Sequence, residues 1–224
     1  MNFLSHFYFT QNKNDPYFSL GSILPDLLRN YDGSWNIKPE KETKRLNKNQ
    51  NFTSLMKGWN LHLHVDKQFH SSSSFLQGSS ALRKKLVSIF TRLPIRPFFL
   101  AHVGYELTLD SLLIQNTLVK TDDFYKEIGA CDPSIIQNFL FDAGIKNPSG
   151  FLVFLDSFIK SRYLESYIEP KNIIFALDRI GRRVWNEPFN EDEIKKSILV
   201  FQDLKQSINH TYINVFKEIQ ESIY

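Results

Sequence analysis

Cysteine is nearly absent from this chain of 224 residues. Cys131 is the only one, so no disulfide can form within the chain and no cysteine pair offers a metal site. Uninterrupted apolar runs are no longer than Phe151 to Leu155, far short of the roughly 20 residues that span a bilayer. The first residues lack the basic and apolar regions of a signal peptide. We therefore expect a cytoplasmic protein that does not enter a membrane.

Signals for β-strands are scarce as well. The chain contains only 9 Gly and 9 Pro, and it has neither an alternating apolar and polar run of useful length nor an Asn-Gly hairpin turn. Apolar residues instead recur at helical spacing, as Leu61, Val65 and Phe69 do. The sequence predicts an all-α fold, with a single compact multi-helix domain over residues 1–224.

Local signals mark where several helices begin. Asp132-Pro133 and Asn147-Pro148 are typical of an N-cap followed by proline in the first helical position. Asn190 followed by Glu193 predicts a capping box. The segment from Asn36 to Asn51 is crowded with Lys, Asn and Glu, which indicates an exposed, mobile connection.

The charge balance does not indicate a nucleic-acid partner. The chain has 27 Lys and Arg against 24 Asp and Glu, a formal net charge of +3. Its aromatic residues lie in apolar helices without interleaved basic residues, unlike a surface on which bases stack. We expect no nucleic-acid and no membrane partner.

Histidine is the informative residue type. Of six histidines, four lie in two short segments. In each segment a histidine begins a stripe of ionisable residues spaced four apart, which share one side of a helix. The two stripes are His62, Asp66 and His70, and His102, Glu106 and Asp110.

The second stripe carries the stronger argument. No Lys or Arg occurs from Phe98 to Ile114, so this apolar helix must bury its carboxylates without a cation of its own. An unpartnered buried carboxylate costs several kcal/mol. Because the helix itself supplies only His102, the partners of Glu106 and Asp110 must come from elsewhere, and His62, His64 and His70 are the natural candidates.

These residue types favour a metal centre. We predict that one or two ions are held by His62, Asp66, His102 and Glu106, while Asp110 or His70 positions a water or accepts its proton. Because four residues rise ~6 Å along a helix, the three members of one stripe cannot all bind one ion. Mixed imidazole and carboxylate ligands suit Mn²⁺, Fe²⁺ or Zn²⁺ better than Ca²⁺. The alternative is a structural network of satisfied core histidines.

Shorter features are candidates for the same site. His6 lies in an apolar N-terminal stretch, where it either joins the site or packs. Asp26 follows an apolar run, where it is either catalytic or the cap of the next helix. Arg179, Arg182 and Arg183 together could hold a phosphate ester through bidentate hydrogen bonds, or they form a solvated face that pairs with carboxylates.

Three segments resemble the acyl carrier protein phosphodiesterase family. They are Met1-Asn2-Phe3-Leu4-Ser5-His6, Leu20-Gly21-Ser22-Ile23-Leu24-Pro25-Asp26 and Leu61-His62-Leu63-His64-Val65-Asp66. Members typically open with Asn-Phe-Leu-Ala-His, and the likeness runs in order along most of the chain to Arg182-Arg183. The resemblance implies an all-helical fold related to that of the HD-domain phosphohydrolases.

The resemblance implies a function. It would be hydrolysis of the phosphodiester that joins 4′-phosphopantetheine to a serine of holo-acyl carrier protein, assisted by Mn²⁺ or Mg²⁺. His6, Asp26, His62 and Asp66 fall on the family's motif positions. The alternatives are an HD-like phosphohydrolase acting on another phosphate ester, and a helical binding protein without catalytic activity.

The chain also departs from the family pattern. Phe69-His70 stands where the family usually has Thr-Asp. Glu106-Leu107 stands where it usually has Asp-His, with His102 one turn earlier. These exchanges keep residue types that bind metals but change the charge of the site.

Overall fold

The structure is a computed structural model, and it describes residues 1–35, 37–41, 46 and 49–223. These residues form helices and connecting turns, and none of them forms a β-strand. The all-α prediction is therefore confirmed. None of the described helices combines the length and the apolar character that crossing a bilayer requires.

The described residues form eleven α-helices of 6 to 22 residues. In chain order the α-helices are α1 (Phe3–Tyr8), α2 (Pro16–Tyr31), α3 (Gln50–Ser71), α4 (Ser73–Val87), α5 (Pro97–Gln115), α6 (Thr121–Gly129), α7 (Pro133–Asp142), α8 (Ser149–Ser161), α9 (Pro170–Trp185), α10 (Glu191–Ile208) and α11 (Ile213–Ile223). Short 3₁₀ helices occur at Pro39–Lys41 and Tyr163–Ile168.

The predicted helix starts hold with one small shift. Asp132 caps α7 by accepting a hydrogen bond from the Ser134 amide at 2.7 Å. The capping box of Asn190 and Glu193 opens α10. Helix α8 begins one residue later than predicted, at Ser149, because Pro148 occupies the N-cap rather than the first helical position.

The predicted connection over residues 36–51 lies partly outside the described residues, which omit 36, 42–45 and 47–48. Within it, Pro39–Lys41 forms a 3₁₀ turn and α3 already begins at Gln50. Pro39 and Leu46 are buried, so the described part of this segment is not uniformly exposed.

The chain divides into two compact units. The first unit consists of Asn2–Asp66 and Leu118–Leu164, and the second consists of Met1, Lys67–Thr117 and Glu165–Tyr224. The prediction of one domain over 1–224 stays a prediction, because a compact unit need not fold on its own.

Aromatic packing dominates the core of the first unit. The rings of Phe7 and Phe124 meet edge to face at a centroid distance of 5.2 Å, and those of Phe3 and Phe158 do so at the same distance. Such pairs contribute roughly 0.5–1.5 kcal/mol beyond the area that they bury. Phe3 and Phe7 thereby fix α1, the helix that carries His6.

Two glycines let α2 and α3 approach closely in the first unit. A Cβ atom added to Gly58 would lie 2.7 Å from the Ser22 amide nitrogen, and one added to Gly21 would lie 3.0 Å from the Leu55 carbonyl carbon. Any side chain at either position would collide with backbone, so the absence of a Cβ sets the spacing of these helices.

An ion-pair network joins α10 to the loop before α5 in the second unit. Arg92 donates to Glu193 through Nε at 2.9 Å and through Nη2 at 2.8 Å, and its Nη1 donates to Glu187 at 2.6 Å. Glu193 also accepts from the Asn190 amide in the capping box. The bidentate geometry ties the start of α10 in place.

Candidate metal centres

Among the described residues, two groups of side chains, one in each unit, could hold a metal ion. The first group is His6, His62 and Asp66, and the second group is His70, His102 and Glu106. Within each group, the ligand atoms lie within 4.8 Å of one another. The residues predicted to share one site, His62, Asp66, His102 and Glu106, are thus divided between two sets of three. A single ion shared by all four stays a prediction.

His62 is the best-positioned ligand of the first group. Its Nδ1 lies 2.9 Å from the Ser22 carbonyl oxygen. A carbonyl oxygen can only accept, so Nδ1 carries the proton, and in the neutral ring the lone pair is left on Nε2. A backbone carbonyl that fixes the tautomer of a ligating histidine in this way is common behind metal sites.

The helix crossing explains how Ser22 reaches this position. Gly58 and Gly21 allow the backbones of α2 and α3 to approach closely next to the hydrogen bond between His62 and the Ser22 carbonyl. Pro25 has no N–H and lies inside α2, so the neighbouring Gly21 carbonyl lacks its usual helical donor. Near Pro25, backbone carbonyl oxygens of α2 are therefore available to accept hydrogen bonds from side chains of other helices, as the Ser22 carbonyl does from His62.

His6 completes the nitrogen side of the first group. Its ring stacks on that of His62 with a centroid distance of 4.1 Å and an interplanar angle of 23°. Its Nε2 lies 3.8 Å from Asp66 Oδ1. His6 is 1% exposed, so the imidazole orientation is set by packing in the core.

The acidic side of the first group is open to solvent. Asp66 is half-buried on α3, and Asp26 Oδ1 lies 3.9 Å from His62 Nε2. Asp26 lies well inside α2, so the alternative that it caps a following helix is wrong: Pro25 does not end the helix. Neighbouring ligands around an ion lie about 3.0–3.4 Å apart for bonds near 2.1 Å, so His6 Nε2 and Asp66 Oδ1, which are 3.8 Å apart, must approach each other by at least about 0.4 Å to bind one.

The second group is already compact. His70 Nε2 lies 3.1 Å from both His102 Nε2 and Glu106 Oε1, and His102 Nε2 lies 3.2 Å from the same carboxylate oxygen. His70 thus supplies the partner that Glu106 was predicted to need. The prediction gave His70 a proton-handling role, whereas its ring nitrogen lies among the candidate ligand atoms.

Glu106 is held as a carboxylate. Burial by itself raises the pKa of the Glu106 carboxyl. The ammonium group of Met1, 3.3 Å from Oε1, and hydrogen bonds from His102 and His70 outweigh it, leaving the pKa well below its ordinary value. A negative charge on the most buried member of the group is a favourable partner for a cation.

Aromatic side chains hold the imidazoles of the second group in place. The buried ring of Phe75 meets both His70 and His102 edge to face, with centroid distances of 4.9 Å in each case. Phe98 lies 6.3 Å from His102 and is largely exposed. The Arg83 guanidinium lies 6.0 Å from the Phe98 centroid. The group therefore has a packed side and an accessible side.

The other predicted residues lie outside both groups. Asp110 is fully buried on α5. Arg179, Arg182 and Arg183 are exposed on α9, and Arg182 donates to Asp178 at 2.8 Å. For Arg182 this favours the alternative of a carboxylate partner, and phosphate binding by the three arginines stays a prediction.

Several residues that position the ligands of the two groups could not be identified from the sequence. The Ser22 carbonyl is backbone, so its residue type does not reveal it. Phe75 is one of 20 phenylalanines. Gly21 and Gly58 are the exception, because glycine inside a helical pattern often marks close packing.

Comparison with family models, curated proteins and solved structures finds no match for this chain. The family resemblance therefore rests on the motif segments of the sequence alone.

Proposed function

We propose that this protein is a metal-dependent phosphodiesterase with an HD-domain-like centre built from His6, Asp26, His62 and Asp66. The observation that carries the proposal is the 2.9 Å contact between His62 Nδ1 and the Ser22 carbonyl. It leaves a lone pair on Nε2, on the side where Asp26 lies. Four residues from three motif segments meet here, within one compact unit.

Each side chain has a distinct part in this proposal. His6, His62 and Asp66 hold the ion, for which Mn²⁺ is the first choice given the mixed ligands, with Mg²⁺, Fe²⁺ and Zn²⁺ as alternatives. A bound ion of this kind lowers the pKa of a water and offsets the charge of the phosphate. Asp26 accepts the proton of the attacking water, because its carboxylate is accessible and lies beside the ligands.

The proposed substrate is holo-acyl carrier protein, with cleavage of the phosphodiester to 4′-phosphopantetheine in the cytoplasm. The support is the resemblance of the three segments that supply these four residues. The formal charge of +3 suits an acidic carrier protein, although a charge this small contributes little to recognition.

The decisive experiment incubates the protein with holo-acyl carrier protein and Mn²⁺ and measures the mass of the carrier. We expect the carrier to lose the phosphopantetheine mass. Asp66→Asn removes one ligand charge, and we expect it to abolish this loss. Asp156→Asn is the matched control, because that aspartate is exposed in the same unit and pairs with Lys160 on its own helix.

Other outcomes separate the alternatives. If the carrier is unchanged but another phosphate ester from a panel is hydrolysed, with the same sensitivity to Asp66→Asn, the chemistry stands and the substrate is wrong. If no ester is hydrolysed with any of the four metals, the proposal fails and a non-catalytic binding protein is favoured.

A further inference from the structure

The second group has the geometry of a metal site in its own right. Its three ligand atoms form a nearly equilateral triangle with edges of 3.1, 3.1 and 3.2 Å. Neighbouring ligands with bonds of about 2.1 Å are separated by about 3.0–3.4 Å. An ion at that bond length would therefore lie about 1 Å above the plane of the triangle without movement of the side chains.

We infer that His70, His102 and Glu106 form a second, independent site for a divalent transition metal, with two imidazoles and one carboxylate on one face of the ion. This ligand set favours Zn²⁺, Co²⁺ or Fe²⁺ over Mg²⁺ and Ca²⁺, which prefer oxygen ligands. Three protein ligands leave coordination positions open, so the ion can also take an exogenous ligand.

The surroundings support binding rather than a purely structural hydrogen-bond network. His70 and His102 are each about one-third exposed, at 30% and 34%, whereas Glu106 is 13% exposed. The carboxylate is thus held inside while the imidazoles border solvent, which gives an ion a route of entry. Phe75 restrains both rings from behind, so little conformational freedom is lost on binding.

Binding requires a simple exchange of cations. His70 and His102 donate to Glu106 through Nε2, and each ring releases that proton when Nε2 binds an ion, because a metal ligand must offer a lone pair. The ion also replaces the Met1 ammonium as the partner of Glu106, so this buried ammonium, 3.3 Å from Oε1, must move away as the ion binds.

The test is a Co²⁺ titration of the full chain after dialysis against a chelator. Visible absorption reports histidine-bound Co²⁺, and equilibrium dialysis gives the number of ions per chain. His102→Ala and Glu106→Gln remove one ligand each from the second group, and His62→Ala does so from the proposed catalytic centre. His210→Ala is the control, because His210 is an exposed histidine of neither group.

We expect Glu106→Gln and His102→Ala each to lose one bound Co²⁺, with Kd weakened at least about 100-fold, since even residues behind the ligands alter affinity by 10–100-fold. His62→Ala and His210→Ala keep this ion. If the catalytic centre binds no metal, the wild type binds one ion and only the second-group variants lose it, so the two proposals fail separately.

Unchanged Co²⁺ stoichiometry and affinity in both second-group variants would overturn the inference. Circular dichroism shows whether each variant is folded. Glu106→Gln preserves side-chain shape and keeps the test valid if His102→Ala fails to fold.

Discussion

Replacing Gly58 with alanine tests whether the α2–α3 crossing builds the proposed centre. The added Cβ would overlap the Phe18 carbonyl oxygen and would lie 2.7 Å from the Ser22 amide nitrogen, where ordinary contact begins at 3.4 Å. The helices must therefore separate by at least about 0.7 Å, which would stretch the His62–Ser22 hydrogen bond from 2.9 Å to about 3.6 Å or more, beyond hydrogen-bonding range.

The expected cost follows from three terms. Overpacking costs about 1–3 kcal/mol, and a buried bond left unmade costs about 1–3 kcal/mol. Alanine has a better helix propensity than glycine, which offsets about 0.5–1 kcal/mol of this loss. We expect Gly58→Ala to lower the free energy of unfolding by about 2 kcal/mol or more and to weaken metal binding at the His6–His62–Asp66 group.

Urea unfolding measures the first effect, and metal titration measures the second. Gly129→Ala is the matched control, because among the described residues a Cβ there meets Ile159 alone, at 3.7 Å, which is an ordinary contact within the same unit. Its stability should equal or slightly exceed that of the wild type. If Gly58→Ala is as stable as Gly129→Ala and binds metal normally, the close crossing does not position His62.

Two further predictions concern stability and reactivity. Burial raises the pKa of the Glu193 carboxyl, but hydrogen bonds from Arg92 and the Asn190 amide outweigh it and leave the pKa below its ordinary value. The ion pair therefore stabilises the fold above the ordinary carboxyl pKa and loses this effect as the pH falls. Glu193→Gln should lower the free energy of unfolding in urea by about 2 kcal/mol at neutral pH, and should reduce the loss of stability as the pH is lowered. If the free energies of unfolding of the variant and the wild type fall in parallel as the pH is lowered, this prediction is wrong. Burial raises the pKa of the Cys131 thiol to about 12, so iodoacetamide should label Cys131 only in urea, and rapid labelling of the native protein would show that it is accessible.

Features that depend on sequence neighbours were the predictable part of this fold. The Asp132 cap and the Asn190–Glu193 capping box involve residues within one helical turn, so their types alone identify them. Pro25 shows the limit of such signals. Proline usually ends a helix, but packing keeps α2 continuous through it, and Asp26 consequently lies on the helix beside His62 rather than at its start.

Contacts between helices were harder to predict. Four-residue spacing places His62, Asp66 and His70 on one stripe, and spacing cannot say which residues of other helices they meet. His6 stacks on His62, whereas His70 contacts His102 and Glu106. These choices depend on crossing positions, which backbone contacts at Gly21 and Gly58 set in the first unit.

The two groups also differ in which side chains are buried. This difference explains why the second group was easier to predict from the sequence than the first. In the second group the carboxylate of Glu106 is the most buried member, on a helix without Lys or Arg, and a charge in such a helix must find a partner elsewhere. In the first group the imidazoles are buried, whereas the Asp66 side chain is 35% exposed. Water reaches a half-buried carboxylate, so nothing in the composition of α3 demands a protein partner for it. A buried carboxylate such as Glu106 can thus be recognised from the sequence of its own helix. A half-buried carboxylate such as Asp66 is recognised as part of a site only once the residues around it are known.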